Sequence, residues 1–171
     1  MRGHVEDKLM DTPTLSQIAA ALRSELAALL VGQDGVQLVP ETSSFCPDVA
    51  NIVFLQAFRP SQTESAELSG RLGLGKRHGV YMVTISAPWG DSAKAAQARA
   101  WADAVCDAYR RQALDTDEGP VYTDEPNVFM GAVSYDPTAT GAGSSVSGKD
   151  PDQRYSISIS VPWTSWTGGV E

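Results

Sequence analysis

Histidine and cysteine are scarce in this 171-residue sequence, which has two of each. His4 lies in a polar N-terminal stretch and His78 beside basic residues, so neither a zinc cluster nor a Ser-His-Asp arrangement can be assembled around them. Cys46 and Cys106 are far apart in the chain. We expect both to be reduced thiols in a cytosolic compartment, serving as small buried apolar side chains.

Long apolar runs are also missing. No run approaches the roughly 20 apolar residues that span a bilayer. The N-terminal residues, Met1 to Lys8, carry charges with no apolar stretch behind them, unlike a secretory signal. We therefore expect neither a membrane span nor an export signal.

Basic residues are fewer than acidic ones: the sequence has 13 lysines and arginines and 21 aspartates and glutamates, which gives a net charge of −8. Such a balance favours solubility and disfavours a role in coating DNA, where clustered cations would neutralise phosphates. It is compatible with DNA passing nearby without being gripped. With 42% hydrophobic and 20% charged residues, the composition is that of a globular protein, and the length suits one domain.

A first amphipathic helix is predicted over residues 13–31. Thr12 or Thr14 can cap its start, and Pro13 suits the first turn. Its apolar side chains recur at helical spacing on one narrow face: Leu15, Ile18, Ala19, Leu22, Leu26 and Leu29.

A second helix is predicted from Asp91 or Ser92 to about Leu114. Its apolar stripe comprises Ala98, Trp101, Ala102, Val105 and Tyr109. The opposite face offers two ion pairs at i,i+4 spacing, Arg99 with Asp103 and Asp107 with Arg111. Such pairs are typical of a solvated helix face.

Strands are predicted at about 50–58, 79–86, 120–123, 127–135 and 154–163. The first is apolar on both faces, which predicts burial on both. The last alternates, with apolar residues from Tyr155 to Trp163 on one side and Ser156, Ser158 and Ser160 facing outward. The element order favours a single-domain α+β fold, in which two amphipathic helices pack on a mixed or antiparallel β-sheet.

We place this domain at residues 12–166, with a flexible N-terminal tail at 1–11 and a C-terminal tail at 167–171. The connection 59–78 is long, polar and glycine-rich, and we expect it to be mobile until it meets a partner. Segment 136–153 is a Gly/Ser/Thr/Pro-rich insertion between two strands, so its ends must lie close together. Because Val146 is its only large apolar residue, we expect a hairpin arm or flexible loop that leaves the domain body.

Two stretches imitate ligand-binding motifs. Gly70 to Lys76 has the spacing of a phosphate-binding loop, but Arg77 stands where Ser or Thr would hold magnesium, and a strand follows instead of a helix. Asp115 to Gly119 begins like a calcium loop, yet its glycine comes one position early and Pro126 occupies the place of the bidentate glutamate. We read them as a basic loop and a polar helix exit, and we predict no enzymatic activity, cofactor or metal.

The order and spacing of five segments resemble one known family. The segments are the opening helix Leu15–Val31, the strand Gly79-Val80-Tyr81-Met82-Val83-Thr84-Ile85, the turn Ala87-Pro88-Trp89-Gly90, the Ala-rich helix 92–114 and the closing strand from Arg154 to Pro162 and Trp163. Over residues 12–166 the chain is similar to tail terminators of long-tailed phages, of the lambda-type minor tail protein U kind. It departs from them in strand 50–58, which lacks an aromatic-plus-arginine start, and in the longer insertion 136–153.

The resemblance implies a structural virion protein and no catalysis. Such proteins form a ring, usually of six subunits, on the head-proximal end of the tail tube. The ring stops tube polymerisation and presents a surface for head–tail joining. The implied partners are further copies of the chain, the tail tube protein and a head–tail connector or stopper protein, while genomic DNA passes through the lumen and no membrane takes part. The implied location is the neck of the virion, and the host cytoplasm during assembly.

Six residues are candidates for the interface. Arg71, Lys76, Arg77 and His78 form a basic cluster that an acidic neighbour would complement, and Trp163 and Trp166 are a candidate contact patch. Two other functions compete with the terminator. One is another neck component, such as a head–tail connector or tail-completion protein. The other is a bacterial small-molecule binding domain, which would need convergent polar groups in a pocket.

Overall fold

The computed structural model describes residues 13–40, 51–61, 75–135 and 153–167. Within them the elements follow in the order α1 (Leu15–Leu30), β1 (Val36–Leu38), β2 (Ile52–Pro60), β3 (Gly75–Pro88), α2 (Ser92–Tyr109), β4 (Ala113–Leu114), β5 (Val121–Thr123), β6 (Asn127–Tyr135) and β7 (Gln153–Thr167). The protein is a single-domain α+β fold with two helices on a curled mixed sheet, which confirms the predicted class.

The seven strands form one sheet in the order β1-β2-β3-β7-β5-β4, with β6 also pairing with β7. β1 runs parallel to β2, and the other pairs are antiparallel. β3 accompanies one edge of β7 over its length, from Gly75 opposite Thr167 to Pro88 opposite Arg154. Two strands share the other edge: β6 beside its first half and β5 beside its second. The sheet therefore branches at β7.

Helix α1 begins with a capping box. The Thr14 side chain accepts a hydrogen bond from the Gln17 backbone amide at 3.2 Å, and the Gln17 side chain accepts one from the Thr14 amide at 2.7 Å. Thr14 is thus the cap, and Pro13 precedes the helix instead of occupying its first turn. Ile18, Leu22 and Leu26 are buried, as the helical spacing predicts.

Helix α2 ends at Tyr109, earlier than the predicted Leu114. The Thr123 hydroxyl donates a hydrogen bond to the Tyr109 carbonyl, Arg110 is extended, and Arg111 has a φ of 51°. Leu114 then pairs with β5. The helical pattern of the sequence continues to Leu114, but the residues after Tyr109 leave the helix and Leu114 pairs with the sheet. The predicted helix end was therefore wrong.

The charged face of α2 is paired differently from the prediction. The Arg110 guanidinium contacts Asp107 and Glu125, each at 2.9 Å, and Arg111 lies 3.8 Å from Glu125. Asp107 therefore pairs at i,i+3 spacing with Arg110. All these groups are exposed, so the pairs contribute little stability.

Both helices pack against the same face of the sheet. Their apolar stripes meet the inward side chains of β2, β3, β5 and β7, which include Ile52, Phe54, Tyr81, Val83, Ile85, Val121, Ile157, Ile159, Val161 and Trp163. Aromatic contacts organise this core: Trp163 stacks on Phe58 with ring centroids 5.3 Å apart, and Phe54 meets Trp101 edge-on at 5.7 Å. The predicted burial of both faces of β2 holds at its start, where Ile52, Val53 and Phe54 are all buried.

Two tyrosine hydroxyls connect elements inside the core. The Tyr109 hydroxyl donates to the Leu22 carbonyl at 2.5 Å and thereby links α2 to α1. The Tyr81 hydroxyl donates to the Gln56 side-chain oxygen at 2.6 Å, and the Gln56 amide donates to the Val39 carbonyl at 3.3 Å. Desolvation by burial raises the pKa of both tyrosines well above the ordinary value of about 10.

These tyrosines predict a loss of stability at alkaline pH. Because their folded-state pKa is raised, their contribution is fully present below the unfolded pKa of about 10 and is lost as the pH rises beyond it. We expect the Tm to fall steeply above about pH 10. In a Cys106→Ala background, the variant carrying Tyr81→Phe and Tyr109→Phe should lose less Tm over the same range. Equal losses in the two proteins, measured by thermal melts, would contradict this origin.

Several strand bounds differ from the prediction. β2 extends to Pro60 and β3 begins at Gly75, so the predicted connection 59–78 is shorter at both ends, and its part 62–74 lies outside the described residues. β7 takes Gln153 from the predicted insertion and Thr167 from the predicted C-terminal tail. The strands are longer because the backbones of these polar residues pair with neighbouring strands. A pattern of hydropathy does not reveal such pairing.

The ends of the insertion 136–153 lie side by side, as predicted, because Tyr135 is paired with Gln153. Residues 136–152, like the tails 1–12 and 168–171, lie outside the described residues. The serine side of β7 is less open than expected: Ser156 is buried, and the Ser158 hydroxyl lies 3.1 Å from the Thr84 hydroxyl. The central position of β7, between β3 and β6, explains this difference.

Candidate functional site: the helix-free face of the sheet

The second face of the sheet bears the candidate surface. Directly opposed residues in antiparallel strands point to the same face. The buried residues Ile157, Ile159, Val161 and Trp163 mark the face of β7 that meets the helices, so the even-numbered residues of β7 and their partners point away from them. We call this second side the helix-free face, since neither described helix packs on it.

Three exposed aromatic side chains lie on the helix-free face. Trp166 is 44% exposed, Tyr122 42% and Phe129 60%. Tyr122 is paired with Thr164 and Phe129 with Ser158, which places both on the same side as Trp166. Exposed aromatic side chains of this kind are frequent anchors of protein–protein contacts.

Cationic side chains lie at one end of the same face. The Lys76 ammonium sits 5.7 Å from the centroid of the Trp166 ring, and Lys76 is paired with Trp166 across the strands. His78 is half-buried and Arg59 is exposed, and both join Lys76 around an open groove of about 770 Å³. Apolar side chains contribute to its lining: Val80, Met82 and Pro162. This end combines an apolar floor with a basic rim, in a chain that is acidic as a whole.

The structure separates the predicted interface residues. Lys76, His78 and Trp166 come together on the helix-free face. Arg77 points to the other side, where its guanidinium donates to the Pro13 carbonyl at 2.9 Å and ties β3 to the start of α1. The predicted basic loop cluster is therefore divided by strand alternation.

Trp163 is 1% exposed and belongs to the core. Of the two tryptophans predicted as a contact patch, Trp166 is therefore the exposed one. Arg71 lies outside the described residues. Sequence reasoning missed Arg59, Tyr122 and Phe129, which join the surface only through the strand register. The alternation of side chains between the two faces of β2 and β6 was the available signal. It did not show which of the two faces meets the helices.

Other potentially reactive groups within the described residues are the Cys106 thiol, the carboxylates and Lys76. Burial raises the pKa of the Cys106 thiol, which keeps it protonated at neutral pH. No three or more His, Cys, Asp or Glu side chains are grouped to hold a metal ion within the described parts of the chain. Lys76 lies within strand β3 and no helix follows it directly, so it is not placed as in a phosphate-binding loop.

The stretch that begins like a calcium loop forms a tight turn. The backbones of Thr116 and Gly119 exchange hydrogen bonds at 3.2 and 3.3 Å, which closes the chain on itself. As for membrane insertion, neither described helix is long and apolar enough to cross a bilayer.

No protein-family model and no curated protein matches this sequence. Among solved structures, one matching chain superposes with a TM-score of 0.56 at 19% sequence identity. The match covers 89% of this chain and 95% of the other. At this identity the likeness concerns the fold alone.

Proposed function

We propose that this protein is a structural terminator of a phage-type tail, which forms a ring on the head-proximal end of the tail tube and stops its polymerisation. The observation that carries the proposal is the helix-free face, which presents exposed aromatic and basic side chains on adjacent strands of one sheet. The resemblance of the segment order to tail terminators supplies the biological context.

The dimensions of this face favour a protein partner over a small ligand. Phe129 is paired with Ser158, and Trp166 lies eight positions further along β7, which corresponds to roughly 26 Å of strand. A small molecule is usually enclosed in a pocket, whereas protein partners cover about 800 Å² on each side. The spread of aromatic anchors thus supports a macromolecular contact.

The charge of the face supports a heterologous contact. A two-fold contact centred on the groove would bring the cations Arg59 and Lys76 of one copy close to those of the other, which is unfavourable. An acidic surface, on the next copy or on the tube protein, would complement them. Contacts between unlike surfaces are the kind that closes into a ring.

The test is a polymerisation assay with purified tail tube protein, in which tube length is measured by electron microscopy. The wild-type protein should stop growth. The variant carrying Trp166→Ala and Tyr122→Ala should cap at least about 10-fold less efficiently, because truncating interface anchors commonly costs more than 1 kcal/mol each. The Tm should stay close to the wild-type value, since both side chains lie outside the core and are more than 40% exposed.

Val31→Ala provides the matched control. Val31 is an exposed apolar residue, 75% accessible, at the end of α1 and away from the helix-free face, and its truncation should leave capping unchanged. If the wild-type protein binds a portal-associated protein and not the tube, it is another neck component. If the aromatic variant caps as well as Val31→Ala, the helix-free face is not the docking surface.

A further inference from the structure

A second apolar pocket lies at the far end of β3 from Lys76. Pro88 ends β3, and twelve positions separate the two residues, which corresponds to roughly 40 Å of strand. The pocket, of about 420 Å³, is lined mainly by Pro88, Trp89, Ala95, Arg99 and Tyr155. We call it the Trp89 pocket. It is separate from the groove around Lys76.

The walls of the Trp89 pocket come from three elements. Trp89 follows β3 in a turn where Gly90 adopts a φ of +83°, a conformation that glycine accepts readily. Ala95 lies in the first turns of α2, and Tyr155 lies near the start of β7. Because β3, α2 and β7 are tied into the core, the pocket has a defined shape without a ligand. Trp89 nevertheless stays 52% exposed.

A cation stands at the edge of this apolar pocket. The Arg99 guanidinium lies 5.6 Å from the centroid of the Tyr155 ring. Within the described residues no carboxylate lies within ion-pairing distance of Arg99, whereas Arg110, directly after the helix, has two. The nearby Asp91 side chain is engaged by the Lys94 backbone amide as the helix cap. The Trp89 pocket therefore offers an incoming group an aromatic surface and the cation Arg99, beside the capping carboxylate of Asp91, which also lines it.

We propose that the Trp89 pocket is a docking site for a short segment of a partner protein that presents an apolar side chain next to a carboxylate. The apolar side chain packs on Trp89 and Tyr155, and the carboxylate pairs with Arg99. The openness of the site favours a peptide segment over a small molecule, since small-molecule sites usually bury most of their ligand. A half-exposed tryptophan beside an arginine is the composition of an interface hot spot.

This proposal is independent of the tail-terminator function and is tested on the full chain alone. The probe is the blocked tetrapeptide acetyl-Asp-Leu-Phe-Glu-amide, followed by ¹⁵N–¹H correlation spectra at millimolar concentration. We expect saturable shifts at the Trp89 indole and at the Ala95 and Arg99 backbone amides. The sequence-matched basic peptide, acetyl-Lys-Leu-Phe-Lys-amide, should bind at least about 10-fold more weakly, because Arg99 repels its charges.

Two variants assign the binding to the pocket. Arg99→Gln removes the charge from an exposed side chain and should abolish the preference for the acidic peptide. Trp89→Ala should weaken both peptides, whereas Trp166→Ala, on the helix-free face, should change neither. Equal binding of the two peptides to the wild type, or unchanged binding to Arg99→Gln, overturns the proposal. Tighter saturation by phenylacetate than by the acidic peptide also overturns it, because the occupant would then be a small aromatic acid.

Discussion

Replacing Gly79 by alanine is expected to destabilise the protein by about 3 kcal/mol or more, which corresponds to a Tm lower by roughly 6–12 °C for a chain of this size. An added Cβ would lie 2.5 Å from the Arg59 carbonyl oxygen, 2.6 Å from a ring carbon of Trp163 and 2.8 Å from the Pro60 Cα. Backbone atoms account for two of these contacts, so they cannot move aside without separating β2 from β3. Thermal and chemical denaturation measure the effect.

The matched control is Gly90→Ala. Gly90 has a φ of +83°, and no atom lies within 4 Å of its Cβ position. This variant should lose only the backbone strain of about 1–2 kcal/mol. Gly79 is the opposite case, since its φ is outside the left-handed region and only space is short. If Gly79→Ala is no more destabilised than Gly90→Ala, Trp163 does not pack on this glycine as described.

Arg154→Met is expected to cost about 3 kcal/mol or more, because several buried acceptors lose a charged donor. Arg154 is only 5% exposed, at the start of β7. Its guanidinium donates to the Ser86 hydroxyl at 2.7 Å, to the Ser86 carbonyl at 3.0 Å and to the Asn51 carbonyl at 2.6 Å. It therefore joins β7 to β3 and to the residue preceding β2. Denaturant unfolding of the purified variant measures the loss.

Two companions separate the contributions at this site. Ser86→Ala removes one acceptor and should cost about 1 kcal/mol. Arg154→Lys keeps the charge but not the planar fork of donors, so it should fall between the wild type and the methionine variant. A methionine variant as stable as the wild type would mean that the desolvation of the guanidinium cancels its hydrogen bonds.

The sequence predicts the parts of the fold that local patterns determine. The helical spacing from Leu15 to Leu29 and the two candidate caps place α1 to within two residues at its start and one at its end. The alternation from Tyr155 to Trp163 identifies β7 and its buried side correctly. In each case a single element carries its own signal, because side-chain burial repeats at the period of the backbone.

Other features depend on contacts between distant residues. Gly75 to His78 looks like loop because it is basic and glycine-bearing, yet backbone pairing with β7 makes it a strand. The end of α2 is set by the Thr123 hydroxyl, which donates to the Tyr109 carbonyl. The spacing of apolar residues in the helix does not predict this contact. The same holds for the candidate surface, since Tyr122 joins Trp166 on one face only through the register of β5 and β7.

The branching of the sheet at β7 has a consequence for synthesis of the chain. β3, β5 and β6 each hydrogen-bond with β7, and residues 153–167 are translated after all three. While the polypeptide emerges from the ribosome, β2 can pair with β3, but the edges that β3, β5 and β6 present to β7 stay open until this last strand is released. These edges then close by contacts between residues far apart in sequence, a slow class of folding step. Until that moment the nascent chain exposes unpaired strand edges, at which pairing with other chains can begin.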